Sequence, residues 1–137
     1  MNNIEIGGHL VGESHPPFII AELSGNHNGA IEKAKELISA AASAGAHAVK
    51  FQTYTADTMT LNLNSPEFII NDPNSLWNGR SLYDLYQEAH TPWEWHEELF
   101  LHARSIGLLP LSTPFDETAV DFLEKLGCEV YKIASFE

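Results

Sequence analysis

The sequence is poor in cysteine and in positive charge, and both shortages narrow what the protein can be. Cys128 is the one cysteine among 137 residues, so no disulfide can form within the chain. A lone cysteine beside Gly127 is typical of a small packing residue in a reducing compartment. The chain carries 7 lysines and arginines against 19 aspartates and glutamates, a formal net charge of −12. This balance argues against non-specific binding to nucleic acid or to an anionic membrane.

Long apolar runs are missing as well. No stretch approaches the roughly 20 consecutive apolar residues that cross a bilayer. The N-terminal segment lacks the basic and apolar regions of a signal peptide. We therefore expect a cytoplasmic protein that does not enter the membrane. The apolar fraction of 44% is typical of a folded domain, which at this length buries roughly two thirds of its unfolded surface.

Strand-like and helix-like segments alternate along most of the chain. Residues 3–15 predict a small hairpin, so we expect residues 1–17 to form an extension ahead of a main domain at 18–137. Residues 55–80 lack periodicity, and a loop of this length is usually functional. Strands are predicted at 18–22, 46–54, 108–113 and 129–135, and helices at 30–45, 81–89, 91–107 and 117–127. This alternation predicts an α/β fold with a parallel sheet covered on both faces.

Local signals mark where several of these elements end. Gly45 occupies the position at which a left-handed residue closes a helix. Thr91 followed by Glu94 predicts a capping box, and Asp116 is a candidate cap for the last helix. Pro110 lacks an amide hydrogen, so it predicts a bulge in the third strand or a slightly misplaced strand boundary.

Polar residues at the carboxyl ends of the predicted strands are the candidate functional site, because active sites of parallel α/β folds form beyond those ends. Lys50 and Gln52 are two residues apart, so their side chains point to one face of the strand. The candidates are Glu22, Lys50, Gln52, Ser112, Thr113, Lys132, Ser135 and Glu137.

The two lysines in buried strands need a partner, because an unpaired ammonium in the interior is costly. One interpretation is a structural ion pair, such as Glu22 with Lys50. The other is an anion site, in which two lysines and two hydroxyls hold a phosphate or carboxylate. Both remain open, and we favour the anion site because titratable groups at such a rim often serve function. Its members would be Lys50, Thr113, Lys132 and Ser135.

The histidines and the aromatic residues carry weaker signals. His27 follows Asn26 in a polar turn, where it could contact a substrate or brace the loop. His96 and His102 are six residues apart, which cannot give the i, i+4 pair of a helical metal site, so we expect surface or packing roles. A set of aromatic residues could form a sugar-stacking platform, although packing is the commoner use. The set is Trp77, Trp93, Trp95, Tyr83 and Tyr86.

Several separate motifs resemble the sialic acid synthase family. They are "IAELSGNHNG", "VKFQTYTADTMTL", "STPFD" and "YKIASFE". The segment "LWNGRSLYDLYQEAHTPWEWH" and the ending "ASFE" look more like the pseudaminic acid synthase branch. The resemblance spans residues 18–137 and implies the N-terminal half of a (β/α)8 TIM barrel, with about four βα units. The second half and the C-terminal antifreeze-like domain of the family would then be absent.

The resemblance also implies a reaction and a set of site residues. Phosphoenolpyruvate (PEP) would condense with 2,4-diacetamido-2,4,6-trideoxy-L-altrose to give pseudaminic acid and phosphate. The positions that match catalytic residues are Glu22, Lys50 and Lys132. Those that match PEP-binding residues are Lys50, Thr113, Lys132 and Ser135. Those that match sugar-binding residues are Gln52 and Glu137, with Asn26 and His27 as possible additions.

The cofactor and the partners follow from the same resemblance. It implies a divalent metal, Mn²⁺ or Mg²⁺, whose ligands lie beyond residue 137, so no metal ligand is assigned in this chain. It implies a homodimer at full length, and we expect the 137 residues alone to be inactive. The alternatives are an N-acetylneuraminate or legionaminate synthase and a non-catalytic, anion-binding half-barrel. An unrelated flavodoxin-like domain is weaker, because no turn carries a G-x-G-x-x-G phosphate motif.

Overall fold

The computed structural model describes residues 3–135 as an antiparallel hairpin followed by a three-stranded parallel sheet with helices packed against it. The hairpin pairs β1 with β2, and the order in the parallel sheet is β3-β4-β5. No helix in this range has the length and apolar character needed to span a membrane. The elements are β1 (Ile4–Ile6), β2 (His9–Val11), β3 (Ile20–Glu22), α1 (Ile31–Ser43), β4 (Ala48–Thr53), α2 (Ala56–Met59), a 3₁₀ turn (Pro66–Phe68), α3 (Leu82–Ala89), a second 3₁₀ turn (Trp93–Trp95), α4 (His96–Ser105), β5 (Leu109–Pro114) and α5 (Glu117–Lys125).

The register of the parallel sheet is continuous. Glu22 of β3 pairs with Lys50 of β4, which pairs with Leu111 of β5. Two residues further along, Gln52 pairs with Thr113. The α/β class, the N-terminal hairpin and the first three predicted strands are therefore confirmed.

The core lies between the sheet and the helices. Val49 and Phe51 of β4 point into it and are at most 2% exposed. Burying each large apolar side chain contributes about 1.5–3 kcal/mol, so this layer holds the helices on the sheet. Their partners from the helices are Ala34, Ile38, Leu99, Phe100, Ala103 and Leu123.

Two of the predicted helix ends are confirmed. Gly45 follows α1 with φ +87°, a conformation that costs little only for glycine. The carboxylate of Asp116 accepts hydrogen bonds from the amides of Thr118 (3.1 Å) and Ala119 (3.3 Å) at the start of α5.

The predicted capping box at Thr91 is wrong. The Thr91 side chain is buried, and its Oγ1 lies 3.2 Å from Nε2 of His27. This hydroxyl is used in a tertiary contact, so it cannot cap a helix. The chain instead enters α4 (His96–Ser105) through the 3₁₀ turn Trp93–Trp95, which follows Pro92.

The bulge expected at Pro110 does not form. Pro110 pairs with Val49 in an uninterrupted register. The amides of Leu109 and Phe115 donate to carbonyls on the β4 side. Alternate residues of a strand bond to the same neighbour, so the missing hydrogen of Pro110 faces away from β4. The proline therefore breaks no bond of this ladder.

The fourth predicted strand, 129–135, lies beside β5 but forms no continuous ladder. Tyr131 makes an isolated parallel bridge with Ser112, and the Lys132 amide donates to the Ser112 carbonyl at 3.0 Å. Within residues 3–135 no strand pairs with its other edge. Pairing on one edge over so few residues holds the segment in place without making it a regular strand.

Replacing Asp116 by Ala should destabilise the chain by about 0.5–2 kcal/mol, because the first amides of α5 lose their acceptor. Asp121→Ala, at an exposed position in the middle of the same helix, is the matched control and should change stability by less than about 0.5 kcal/mol. Urea unfolding of both variants measures the difference. Equal losses would show that Asp116 is not a functional cap.

Candidate functional site

The sheet has two faces, and the register places four of the predicted site residues on the same one. Glu22, Lys50, Gln52 and Thr113 lie on the face opposite the helix layer, because paired residues of a parallel sheet point the same way. Phe51, the residue between Lys50 and Gln52, points into the core. The sequence alternation and the strand pairing thus collect these polar groups at one place.

Lys132 joins this face from the next segment. Tyr131 is paired with Ser112, which lies on the helix-facing side, so alternation turns Lys132 toward the side of Thr113. The Lys132 side chain is half-buried. Both lysines predicted to bind an anion therefore belong to the same face of the sheet.

Lys50 and Glu22 form an ion pair in which Lys50 Nζ donates to Glu22 Oε1. The Lys50 side chain is 15% exposed and that of Glu22 is 61% exposed. An ammonium has three donors, so one carboxylate oxygen does not exhaust it. Among residues 3–135, no ion pair involves Lys132. The structural pair is present, and it leaves capacity for an anionic ligand.

The remaining predicted residues lie in different surroundings. Thr113 is 2% exposed and Gln52 is half-buried, whereas Ser135 is exposed beyond the bridge. Asn26 is exposed and donates through Nδ2 to the Leu23 carbonyl at 3.1 Å. Glu137 lies outside the described residues. The roles assigned to these residues remain predictions.

Ser112, which we predicted at the site, faces the helices instead. Its Oγ lies 2.7 Å from Thr53 Oγ1, which lies 2.9 Å from His96 Nε2. His96 Nδ1 is 3.1 Å from the Pro92 carbonyl, so Nδ1 carries the proton and Nε2 accepts from Thr53. The sequence analysis missed this buried network. The sequence did contain a sign of this network. Thr53 is adjacent to Gln52 and Ser112 is adjacent to Thr113, so alternation along each strand turns Thr53 and Ser112 to the opposite face of the sheet.

His27 braces its loop rather than facing an open site. It is fully buried, its Nδ1 accepts from the Gly29 amide at 3.1 Å, and its Nε2 lies 3.2 Å from Thr91 Oγ1. Burial first, and then the nearby His90, lower the pKa of His27, which favours the neutral ring. Of the two interpretations left open by the sequence, the geometry favours the structural one.

The aromatic residues are used in two ways. Trp93 stacks on Phe122 at 4.8 Å, and Trp95 meets the His27 ring edge-on at 5.4 Å, so these two pack as expected. Trp77 differs, because 45% of its surface is exposed. Cys128 is buried, and burial raises the pKa of its thiol, in agreement with a packing role.

A cleft of about 340 Å³ opens at the carboxyl ends of β3 and β4. Small-molecule sites commonly span about 300–1,000 Å³, so its size is suitable for part of a ligand. Gln52 and Asn26 of the candidate site border it. The other lining residues are Ser24, Gly25, Asn28, Tyr54, Trp77, Leu85, Tyr86 and Ala89.

The described residues do not provide a metal site. Within 3–135, no three side chains among His, Cys, Asp and Glu are arranged to hold an ion. The resemblance places the ligands of its divalent metal beyond residue 137, so the metal stays a prediction, and no chemical step is assigned to it.

Parallel βα units with polar groups collected at the carboxyl ends of the strands define an α/β protein whose candidate site lies at that edge of the sheet. The chain belongs to the NeuB family, whose sequence profile matches residues 37–137. The resemblance to sialic acid synthases is therefore confirmed.

Similar proteins include pseudaminic acid synthase of Helicobacter pylori, 52% identical over 122 residues, which is 89% of this chain and 35% of that protein. N,N'-diacetyllegionaminic acid synthase of Legionella pneumophila is 40% identical over 92% of this chain and 35% of that protein. The chain thus spans about a third of the length of these relatives.

A solved structure confirms the predicted fold class. The crystal structure of N-acetylneuraminic acid synthetase from Leptospira borgpetersenii, in complex with citrate, superposes with a TM-score of 0.78 at 28% identity. The match covers 96% of this chain and 41% of that one. The described sheet and helices therefore correspond to part of a synthase barrel.

His96 should make stability pH-dependent. Burial lowers its pKa to about 4. Below pH about 6.5 the unfolded chain binds a proton that the folded chain refuses until pH about 4. The free energy of unfolding should therefore fall across this window by up to about 3 kcal/mol and be unaffected by His96 above it.

Urea unfolding at a series of pH values measures this effect. His96→Gln should make the decline between pH about 6.5 and about 4 shallower, with the part due to buried His27 remaining. His102→Gln, at a half-buried position of the same helix, is the control and should leave the decline unchanged. Parallel curves for wild type and His96→Gln would refute the assignment.

Proposed function

We propose that this chain is part of a nonulosonic acid synthase of the pseudaminic acid type. The substrates are PEP and 2,4-diacetamido-2,4,6-trideoxy-L-altrose, and the products are pseudaminic acid and phosphate. The observation that carries the proposal is the greater identity to a pseudaminic acid synthase, 52%, than to a legionaminic acid synthase, 40%. A fold shared with an N-acetylneuraminic acid synthetase supports the general reaction.

The shared face of the sheet supports the binding of PEP. Two lysines from neighbouring segments, Lys50 and Lys132, supply positive charge in a chain of net charge −12. A phosphate brought between them replaces water with charge-assisted hydrogen bonds, which are the strong ones. The hydroxyls of Thr113 and Ser135 add neutral donors. Glu22 holds the Lys50 ammonium in position through their ion pair.

The proposed reaction joins two carbon atoms and releases phosphate. C3 of PEP forms a bond to the aldehyde carbon of the open-chain sugar, and the aldehyde oxygen takes up a proton. A water oxygen bonds to C2, and the bond between C2 and the phosphate oxygen breaks to leave a carbonyl at C2. The two protons of the water are accounted for by the new hydroxyl and by the released hydrogen phosphate. Gln52 and, from the resemblance, Glu137 are proposed to hold the sugar so that its aldehyde faces C3. Orientation of two reactants in one site is a large part of such catalysis.

The full-length protein is proposed to have two features that the described residues do not include. A divalent metal, Mn²⁺ or Mg²⁺, and a homodimeric assembly are proposed from the resemblance. Enzymatic activity is measured with a full-length synthase that carries this sequence. This is either a natural protein or a chimera in which residues 18–137 replace the matching segment of the Helicobacter pylori enzyme.

The acceptor preference identifies the type of synthase. The full-length synthase, supplied with PEP and Mn²⁺, should release phosphate fastest with 2,4-diacetamido-2,4,6-trideoxy-L-altrose. The acceptor sugars of N-acetylneuraminate synthase and of legionaminate synthase are the comparison acceptors. A higher kcat/KM with either would assign the protein to the other branch. Phosphate release with none of the three would favour a non-catalytic binding role.

Replacing Lys50 by Met separates the anion site from the structural ion pair. KM for PEP should rise about tenfold or more, because charged hydrogen bonds contribute about 1.5–3 kcal/mol, while Tm falls by less than about 4 °C. Lys33→Met removes an exposed lysine that pairs with Glu36 and should leave both values unchanged. Steady-state kinetics and thermal unfolding measure the two effects. A large fall in Tm with an unchanged KM would instead favour the structural pair.

A further inference from the structure

The cleft that Trp77 borders, here called the Trp77 cleft, is not explained by the binding of PEP. It holds about 340 Å³ and contains neither Lys50 nor Lys132 in its lining. A neighbouring cleft of about 330 Å³ shares much of its wall, including Gly25 and Trp77. The two form a continuous depression between the turn after β3 and helix α3. This space lies next to the candidate site and has no assigned ligand.

Trp77 is held in place although it is exposed. Its amide donates to Ser75 Oγ at 3.2 Å, and its carbonyl accepts from the Arg80 amide at 3.0 Å. The loop is closed by the Gly79 amide on the Ile70 carbonyl at 2.7 Å. Trp77 is 45% exposed, but the hydrogen bonds of the turn fix its backbone before any ligand binds. Such preorganisation lowers the entropic cost of binding.

The opposite wall is equally constrained. Ser24 and Asn28 have φ of +48° and +50°, a left-handed conformation that is uncommon in residues other than glycine. Gly25 lies so close to α3 that a Cβ would stand 2.9 Å from the Ala89 carbonyl oxygen. The turn after β3 therefore packs directly on the end of α3, and Gly25 permits that contact.

Helix α3 supplies the apolar side of the cleft and is anchored at both ends. Ser81 caps its start by accepting from the Asp84 amide at 3.0 Å. Near its end, the ring of Tyr86 meets that of Tyr54 edge-on at 5.8 Å. Leu85 lies between these anchors and faces the cleft. The apolar surface is thus presented by a fixed helix.

The chemistry of the lining indicates a neutral ligand group. The Trp77 cleft has no charged side chain among its lining residues. The neighbouring cleft is lined by one carboxylate, Glu88, which is paired with Arg80. A phosphate or a carboxylate is therefore disfavoured, and the carboxylate of the neighbouring cleft already has a cationic partner. Burial, followed by the nearby Tyr86, raises the pKa of Tyr54 to about 12, so this hydroxyl stays protonated. Side-chain amides of Asn26, Asn28 and Gln52 offer both donors and acceptors. A ligand group that consists of an amide with a short apolar end fits this lining. Its amide can bond to the side-chain amides of the protein, and its apolar end can pack on Leu85 and on the indole of Trp77.

Gln52 connects the cleft to the candidate site. It lines the Trp77 cleft, and it lies on the same face of β4 as Lys50, two residues away. A sugar held at Gln52 can therefore project a substituent into the cleft while its reactive end faces the lysines.

We propose that the Trp77 cleft is the subsite for an acylamino substituent of the acceptor sugar, with Trp77, Leu85 and Tyr86 as residues that determine specificity. This inference rests on the proposed function and adds to it the place where one acetamido group is recognised. The methyl group packs between Leu85 and the Trp77 ring, and the amide bonds to the side chains of the turn after β3.

The experiment compares three acceptors with four forms of the full-length synthase. The acceptors are the 2,4-diacetamido sugar and two analogues in which either the 2- or the 4-acetamido group is replaced by hydroxyl. The forms are wild type, Trp77→Ala, Trp77→Phe and Leu76→Ala. Leu76 is the matched control, because it lies on the same loop, is 92% exposed and does not line the cleft.

Trp77→Ala should lower kcat/KM for the diacetamido sugar about tenfold or more, the range over which an apolar pocket discriminates. It should leave unchanged the kcat/KM for the analogue that lacks the group held in the cleft, and it should not alter KM for PEP. Trp77→Phe should recover most of the loss, since it restores an aromatic wall. This recovery also shows that the effect of alanine does not come from failure to fold.

Equal losses on all three acceptors, or a loss no larger than that of Leu76→Ala, would overturn the subsite. A rise in KM for PEP would place Trp77 at the PEP site instead and would also overturn it. Failure of the proposed function looks different, since wild type would then make no product from the diacetamido sugar.

Discussion

The parallel ladder between β4 and β5 is the interaction on which the rest of the structure depends. Its register runs without a bulge from Ala48 with Leu109 to Thr53 with Pro114. Side chains alternate along a strand, so a slip of one residue would exchange the two faces of the sheet. Phe51 would then leave the core, and Lys50 would enter it. The apolar layer between sheet and helices holds this register, and the register in turn holds the polar groups on the other side.

The two faces carry different polar chemistry because their surroundings differ. On the helix side, Thr53, Ser112 and His96 form a buried network without formal charge, as a dry interior requires. On the opposite side, Lys50 and Glu22 form an ion pair at the rim of the sheet. Neighbouring residues of one strand therefore lie in two different polar environments. Because the charged residues of the candidate site lie on the face away from the helices, they do not place an unpaired charge in the apolar core.

Local signals in the sequence predicted the elements well where the structure uses them locally. Asp116 caps α5, and Gly45 closes α1 in the left-handed conformation. The predictions failed where a tertiary contact competes, since the hydroxyl of Thr91 bonds to His27 instead of capping a helix. The prediction of a bulge at Pro110 also failed because it depended on tertiary structure. Whether its missing hydrogen matters depends on which edge of the strand it faces, and alternation alone cannot say which edge is paired.

The sequence by itself determined the three strands of the parallel sheet, the four longer helices, the α/β class and the family, because periodicity, caps and motifs are local properties of the chain. It also named the polar residues at the strand ends. Only the tertiary structure decided which residues of different strands share a face, that Ser112 and His27 turn inward, and that Trp77 borders an open cleft. These outcomes depend on register and on contacts between residues far apart in the chain, such as Gly25 with Ala89. Such contacts follow from the packing of whole elements, which no short segment encodes.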